Sequence, residues 1–234
     1  MKAFTKIRRS WTARHNAEST LKPDSTARRF TLGTRSCYTI AMHTIQWGMI
    51  GCGDVTEVKS GPAFQQIEHS ALIAVMSRDA ARARDYAARH GVPKCYERAE
   101  DLIRDPQVNA IYVATPPDAH CSYTIMAARA GKPVYVEKPM ARTHAECLQM
   151  IAACRAAGVG LYVAYYRRCL PLFRKVQELI AAGAIGEVRC VTVQLIHPFH
   201  PGDEQLPWRV RPAVAGGGYF YDLGSHQLDY LDFL

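Results

Sequence analysis

The chain contains no run of about 18 uninterrupted apolar residues, the length a helix needs to cross a bilayer core. No membrane span is therefore expected. Its eight cysteines are scattered, and no two form a C-x-x-C pair. That argues against a zinc ribbon and against the disulfide framework of a small secreted domain. Reduced thiols, a cytoplasmic location and no bound metal are the expectation. There is no G-x-S-x-G, so the nucleophile elbow of serine hydrolases finds no support. Internal repeats and low-complexity tracts are also missing.

Acidic residues are scarce at the start. Residues 1–41 hold nine of the 29 Lys/Arg and two of the 21 Asp/Glu, leaving 20 against 19 for residues 42–234. Nearly all of the net charge of +8 belongs to this segment, and the body of the chain is close to neutral. Nucleic-acid binding would rest on residues 1–41 alone, and no nucleic-acid partner is expected. The segment is rich in Arg, Ser and Thr, which fits a transit peptide. It fits equally a disordered extension, or upstream sequence translated from an early start. Met42 stands three residues before the first predicted strand.

What the chain does have is 48% apolar residues arranged in alternating strand-like and helix-like stretches. Ile45–Ile50 reads as a buried strand running into the glycine turn Gly51-Cys52-Gly53. A helix is expected from about Asp54, interrupted near Gly61-Pro62. Ala71–Met76 is a continuous apolar run suited to a sheet buried on both faces. A helix over Asp79–His90 closed by Gly91, a short strand near Cys95 and a helix around Ala99–Arg104 come next. Strands are predicted at Ala110–Ala114, Pro133–Val136 and Gly160–Ala164. Between them lie a helix with Asp118 as its N-cap and another opened by the capping box Thr143 and Glu146. This alternation predicts a doubly wound parallel α/β sheet over residues 42–165.

The pattern changes after that. Pro171–Ala182 is predicted helical, Val188–Ile196 is a long stretch of strand formers, a loop rich in Pro and Gly runs to Gly218, and Tyr219–Leu234 is predicted helical. The final helix lacks a C-cap, and one strand cannot make a sheet. Residues 166–234 are therefore expected to be an incomplete second α/β domain of a longer protein.

The chemistry concentrates at three places. Gly51, Cys52, Gly53, Asp54 and Val55 match a phosphate-binding turn, in which the glycines allow the bend and the close approach of a pyrophosphate to a helix N-terminus. Thr56 occupies the third fingerprint position, where a small residue is usual. Its bulk is expected either to loosen the packing or to offer a hydroxyl to a phosphate. At the end of the second strand an NAD site places an acid for the ribose 2′-hydroxyl. This chain has Ser77-Arg78, which favours NADP over NAD because an arginine fork can grip a 2′-phosphate. Read alone, Arg78 is equally a solvated residue at a helix start. Lys138 follows Glu137 at the ligand edge of the sheet and is suited to polarising a carbonyl. Asp222, His226 and Asp229 lie at i, i+4 and i+7, one face of a helix, where a carboxylate can orient a proton-transfer histidine.

Taken together, MIGCG, ATPPDAH, GKPVYVEKPM, a WR pair and GGGYFYDLGSHQLD resemble the Gfo/Idh/MocA oxidoreductases, from about Ile45 to Leu234. The resemblance implies a Rossmann domain followed by an α/β domain with an open, mostly antiparallel sheet, through which members often form homo-oligomers. It implies a hydride transfer between NAD(P) and a sugar, polyol or cyclitol-like hydroxyl or carbonyl. It assigns catalysis to Lys138, Asp222 and His226, and the nicotinamide side to Thr115, Pro116, His120 and Glu137. The substrate cleft falls to Trp208 and Arg209, with Tyr166 and Arg167 reaching it from the linker. A non-catalytic dinucleotide-binding fragment or regulator, and NAD-dependent glycoside cleavage within the same family, are the competing expectations.

Overall fold

The computed structural model describes residues 44–196 and 207–234. The expectations for residues 1–41, and for the loop over 197–206, lie outside the described residues. Six parallel strands form one sheet in the order β3-β2-β1-β4-β5-β6. They are β1 (Ile45–Ile50), β2 (Ser70–Met76), β3 (Lys94–Tyr96), β4 (Ala110–Val113), β5 (Val134–Val136) and β6 (Leu161–Val163). Successive side chains of a strand point to opposite faces, and the core divides accordingly. Ile50, Met76, Ile111 and Val113 pack into one apolar cluster. Their neighbours Met49, Val75 and Tyr112 pack into the other. Both faces are covered by apolar side chains, which is why these strands read as unbroken apolar runs rather than as alternating ones.

The strand order reverses between β1 and β4, and in open α/β sheets the ligand crevice opens there, beyond the carboxyl ends of the strands. The helices fix what surrounds that edge. A π-helical turn, Thr56–Ser60, leads into α1 (Gly61–Gln66), with Pro62 in its first turn where no backbone donor is needed. The interruption expected near Gly61-Pro62 takes this form. The turn is tied to α2 (Ala80–His90) by Glu57, which Arg89 grips with two 2.8 Å bonds and which lies 2.7 Å from His90. The Arg89 hydrogen bonds hold the Glu57 carboxyl down at about 2.

On the other face lie α3 (Ala99–Arg104), α4 (His120–Arg129) and α5 (His144–Ala156). Asp105, just after α3, accepts from Lys94 at 2.6 Å, Tyr96 at 2.8 Å and the Gln107 amide at 2.9 Å, closing the β3 edge. The Lys94 bond is the main reason its carboxyl sits at about 2. Beyond β6 come α6 (Pro171–Ala181), α7 (Pro212–Ala215) and α8 (Ser225–Phe233). No helix among the described residues is long and apolar enough to cross a membrane.

Three expectations need correction. Asp118 does not cap α4: it sits inside a 3-10 turn, Pro117–Ala119, and the cap position is Ala119, with no side-chain bond. The capping box at α5 is half made. Thr143 Oγ1 accepts from the Glu146 amide at 3.2 Å, but the Glu146 carboxylate turns to Arg142, a stronger charged partner, and to its amide. Residues 188–196 are not a strand and are exposed throughout. Strand formers gain little from extension unless a neighbour pairs their N–H and C=O groups, and no strand among the described residues does so.

Candidate active site

At Gly51 the chain leaves β1 with φ +108°, and a Cβ there would lie 2.7 Å from the Ala114 carbonyl oxygen. The turn passes so close to the end of β4 that only glycine fits. At Gly53 the situation is opposite, since a Cβ would meet nothing within 4 Å. The backbone there borders open space at the start of a helix, where the first N–H groups have no intrahelical partner. That is a cradle of the kind a phosphate occupies.

Thr56 corrects both sequence expectations. It is fully buried, its hydroxyl donates to the Gly53 carbonyl at 2.7 Å, and its own carbonyl accepts from Tyr86 at 2.8 Å. The hydroxyl is engaged inside the loop, and the packing is tight. The close approach is supplied further along by Gly61, where a Cβ would fall 2.1 Å from Tyr86 Oη and 2.4 Å from the Thr56 carbonyl. Cys52 is a buried thiol donating to the Met76 carbonyl at 3.7 Å, and burial pushes its pKa up to about 12.

Past β2, the Ser77 hydroxyl accepts from the Asp79 amide at 3.2 Å, and Arg78 is exposed. Asp79 is an acid close to the expected ribose position. Its carboxylate is taken by the α2 cap, accepting from the amides of Ala81 at 3.0 Å and Arg82 at 3.2 Å.

Thr115 and Pro116 follow β4, and Glu137 and Lys138 follow β5, across a cis Lys138-Pro139 peptide. His120 braces the two loops. It is fully buried, with Nε2 2.8 Å from the Thr115 carbonyl and Nδ1 3.0 Å from the Pro139 carbonyl. Burial pushes its pKa down, against the pull of those carbonyls. It is buried between the two loops that carry the other residues expected on the nicotinamide side. Glu137 accepts from Tyr112 at 2.7 Å and from the Lys138 amide at 3.2 Å, while Tyr112 Oη lies 3.0 Å from Ser60 Oγ in the π-turn.

Lys138 reaches across 84 residues of sequence to Asp222, donating to Oδ1 at 2.5 Å and to the backbone carbonyl at 2.8 Å. Arg209 Nε lies 3.5 Å from the other carboxylate oxygen, and its guanidinium covers the Trp208 ring at 4.6 Å. Asp222 sits in a second π-helical turn, Phe220–Gly224. Such turns often occur at functional sites. Asp222 and Asp229 both act on the His226 charge, but each carboxylate is engaged elsewhere. Asp222 holds Lys138 and Arg209, and Asp229 is bound by Arg168 at 2.6 Å. No hydrogen bond joins Asp222 to His226 among the described residues.

His226 is 4% exposed, with the rings of Tyr165 and Tyr166 edge-on to it at 5.8 and 5.2 Å. Its Nδ1 has no hydrogen-bond partner. Burial, followed by the Lys138 and Arg167 charges, pushes its pKa from 6.5 down to about 4. At neutral pH it is an uncharged imidazole with one buried ring nitrogen left without a partner. Between those two pKa values the unfolded chain binds more protons than the folded one. Stability therefore rises with pH through the window and falls on acidification from pH 6.5 to 4, by up to roughly 3 kcal/mol for this group. Denaturant unfolding at pH 7.5 and pH 5 is expected to give a smaller pH difference for His226→Gln than for the parent chain. Equal differences would refute the burial of a neutral His226.

Sequence reasoning overlooked Lys59. Its Nζ lies 5.9 Å from the centre of the Tyr166 ring, which brings the π-turn after the glycine loop against a residue expected at the substrate cleft. It also overlooked Tyr112, a buried polar ring on an otherwise apolar strand, and Gly61. The adjacent Gly-Pro pair was the only signal for the latter.

The chain was compared with known proteins. Residues 45–165 match the family model described as an oxidoreductase family with an NAD-binding Rossmann fold, and residues 173–234 match the GFO/IDH/MocA C-terminal domain. Oxidoreductase P35 of Formosa agariphila is 42% identical over 190 residues, 80% of this chain and 59% of that protein. The 1,5-anhydro-D-fructose reductase of Ensifer adhaerens is 33% identical over 189 residues, 81% of this chain and 56% of that one. Among solved structures, the aldose-aldose oxidoreductase from Caulobacter crescentus, complexed with glycerol, superposes with a TM-score of 0.71 at 35% identity, covering 82% of this chain and 58% of that one. The chain thus spans a little over half the length of each of these proteins. The matched family model and the parallel sheet with its glycine turn agree: this chain belongs to the Gfo/Idh/MocA oxidoreductases.

Proposed function

We propose that the protein of which this chain is a part interconverts a hydroxyl and a carbonyl on a sugar, polyol or cyclitol-like substrate, with NADP preferred over NAD. The observation that carries this reading is the meeting of Lys138, from the ligand edge of the Rossmann sheet, with Asp222 and a buried neutral His226. A cation and a neutral imidazole close together are what a reacting oxygen needs.

Gly51, Cys52, Gly53, Asp54 and Val55 would hold the pyrophosphate through backbone amides, and Ser77 and Arg78 the 2′-phosphate. Thr115, Pro116 and Glu137 would form the nicotinamide side, braced by His120. When bound, the nicotinamide supplies or takes the hydride. Lys138 would stabilise negative charge building on the substrate oxygen, and His226 would give or take its proton. Asp222 would hold Lys138 and Arg209 in position. Trp208, Arg209, Tyr166 and Arg167 would bound the substrate. On this reading the dinucleotide domain is 42–165, and residues 166–234 begin a substrate domain whose open, mostly antiparallel sheet joins homo-oligomers. The protein works in the cytoplasm without metal, membrane or nucleic acid. The glycerol-bound structural relative, the reductase acting on a sugar anhydride, and an Asp79 carboxylate already used as a helix cap all support it.

A fluorescence titration with NADPH and NADH tests the cofactor assignment. NADPH is expected to bind at least about tenfold tighter, as one charge-assisted contact can provide, and Arg78→Asp to reverse the order. Tighter NADH binding in the parent chain would overturn the NADP preference. Binding of neither would overturn the dinucleotide site.

A further inference from the structure

The surroundings of His226 hold cations that no carboxylate among the described residues matches. Lys138 is matched by Asp222 at 2.5 Å, and the same carboxylate lies 3.5 Å from Arg209. The other carboxylates nearby are engaged: Asp229 by Arg168 at 2.6 Å, Glu137 by Tyr112 at 2.7 Å and by the Lys138 amide. Two cations are left over. Lys59 comes from the π-turn after the glycine loop, with Nζ 5.9 Å from the Tyr166 ring centre. Arg167 comes from the 3-10 turn Tyr166–Cys169, its guanidinium over the Phe173 ring at 5.5 Å. Neither forms an ion pair among the described residues.

Their location separates them from ordinary surface cations. Tyr166, which Lys59 overlies and Arg167 follows, is edge-on to His226 at 5.2 Å. His226 is itself 96% buried, counted from its 4% exposure, and its Nδ1 lacks a partner. A buried polar atom without a partner is costly, and its natural complement here is a ligand oxygen. Chain segments far apart in the sequence thus bring two cations without an ion-pair partner to the ring that packs on a buried histidine with a partnerless nitrogen. Such an arrangement attracts and orients an anion.

We propose that Lys59 and Arg167 form an anion subsite beside His226, and that the substrate is an acidic sugar or polyol carrying a carboxylate or phosphate ester. The proposal rests on the sugar-oxidoreductase reading and names its substrate class. The reacting hydroxyl faces Lys138 and His226, and the anionic substituent extends toward Tyr166. Arg167 can take two oxygens of one group through its planar fork, while Lys59 acts as a point charge.

The test is calorimetric titration of the NADP⁺-saturated chain with D-glucose, D-glucuronate and glucose 6-phosphate, at low and high salt. One or both acids are expected to bind at least about tenfold tighter than glucose at low salt, with the advantage shrinking as ionic strength rises. Whichever acid binds tighter assigns the carboxylate or the phosphate ester. Lys59→Gln and Arg167→Gln should each reduce the advantage by about threefold to tenfold, whereas Arg155→Gln, on the exposed end of α5, should leave it unchanged. Salt dependence of the parent chain keeps the test decisive if a variant fails to fold. Glucose binding as tightly as both acids overturns the subsite and leaves the sugar reading intact. A Lys59→Gln chain that loses NADP⁺ affinity but keeps the acid preference assigns Lys59 to the cofactor and also overturns it. Binding of none of the three sugars, in a chain that binds NADP⁺, overturns both readings.

Discussion

Lys138→Ala is expected to reduce turnover by about a thousandfold or more while changing NADPH affinity by less than about threefold. Lys138 Nζ is the cation that meets Asp222, at 2.5 Å from Oδ1 and 2.8 Å from its carbonyl oxygen. On the proposed reading the cofactor phosphates bind at a different part of the sheet edge, the turn after β1. Removing the ammonium takes away the charge that would face the reacting oxygen, and it leaves Asp222 with only the longer Arg209 contact. Lys138→Met controls for lost packing, because it keeps the apolar stem and loses only the charge. Lys138→Arg keeps the charge but spreads it over a planar fork that does not fit a single-point contact, so it is expected to recover little. The measurement is kcat for sugar or polyol oxidation beside the Kd for NADPH, in all three variants. Turnover within tenfold of the parent for Lys138→Ala would remove Lys138 from the chemistry.

Gly51→Ala and Gly53→Ala are expected to fail in different ways. At Gly51 a methyl group would meet the Ala114 carbonyl oxygen at 2.7 Å and its carbon at 2.9 Å, from a backbone at φ +108°. Both obstacles are backbone and cannot rotate away. The cost is expected to be at least about 3 kcal/mol, a fall in melting temperature of about 6–12 °C for a domain of this size. At Gly53 there is nothing within 4 Å and no left-handed φ. Gly53→Ala should therefore melt close to the parent, yet fill the space a pyrophosphate needs and weaken NADPH by tenfold or more, about 1.4 kcal/mol. Thermal unfolding and cofactor titration on the two variants test the turn as scaffold and as binding site separately. A Gly53→Ala chain with parental NADPH affinity would show that the phosphates lie elsewhere.

Much of this molecule was legible in its sequence. The apolar runs around Met49–Ile50, Val75–Met76 and Ile111–Val113 announced strands buried on both faces, and the glycines after β1, α2 and α5 marked the turns. The resemblance carried by MIGCG, EKP and D-x-G-x-H led to the family. What went astray were assignments of a side chain to a partner. Glu146 was expected to complete a capping box and turned to Arg142. Thr56 was expected to disturb the loop or serve a phosphate, and its hydroxyl closes on Gly53. The stretch 188–196 had the composition of a strand and no neighbour to pair with.

The sequence by itself determined the parallel sheet, the position of the glycine turn and the residues available for chemistry. Those depend on backbone preferences and apolar patterning that act over a few residues. Only the tertiary structure decided which charges meet. An ion pair forms between residues 84 positions apart because the fold brings Lys138 within 2.5 Å of the Asp222 carboxylate. The neutrality of His226 was decided in the same way, since burial and the field of Lys138 and Arg167 exist only once the chain has packed.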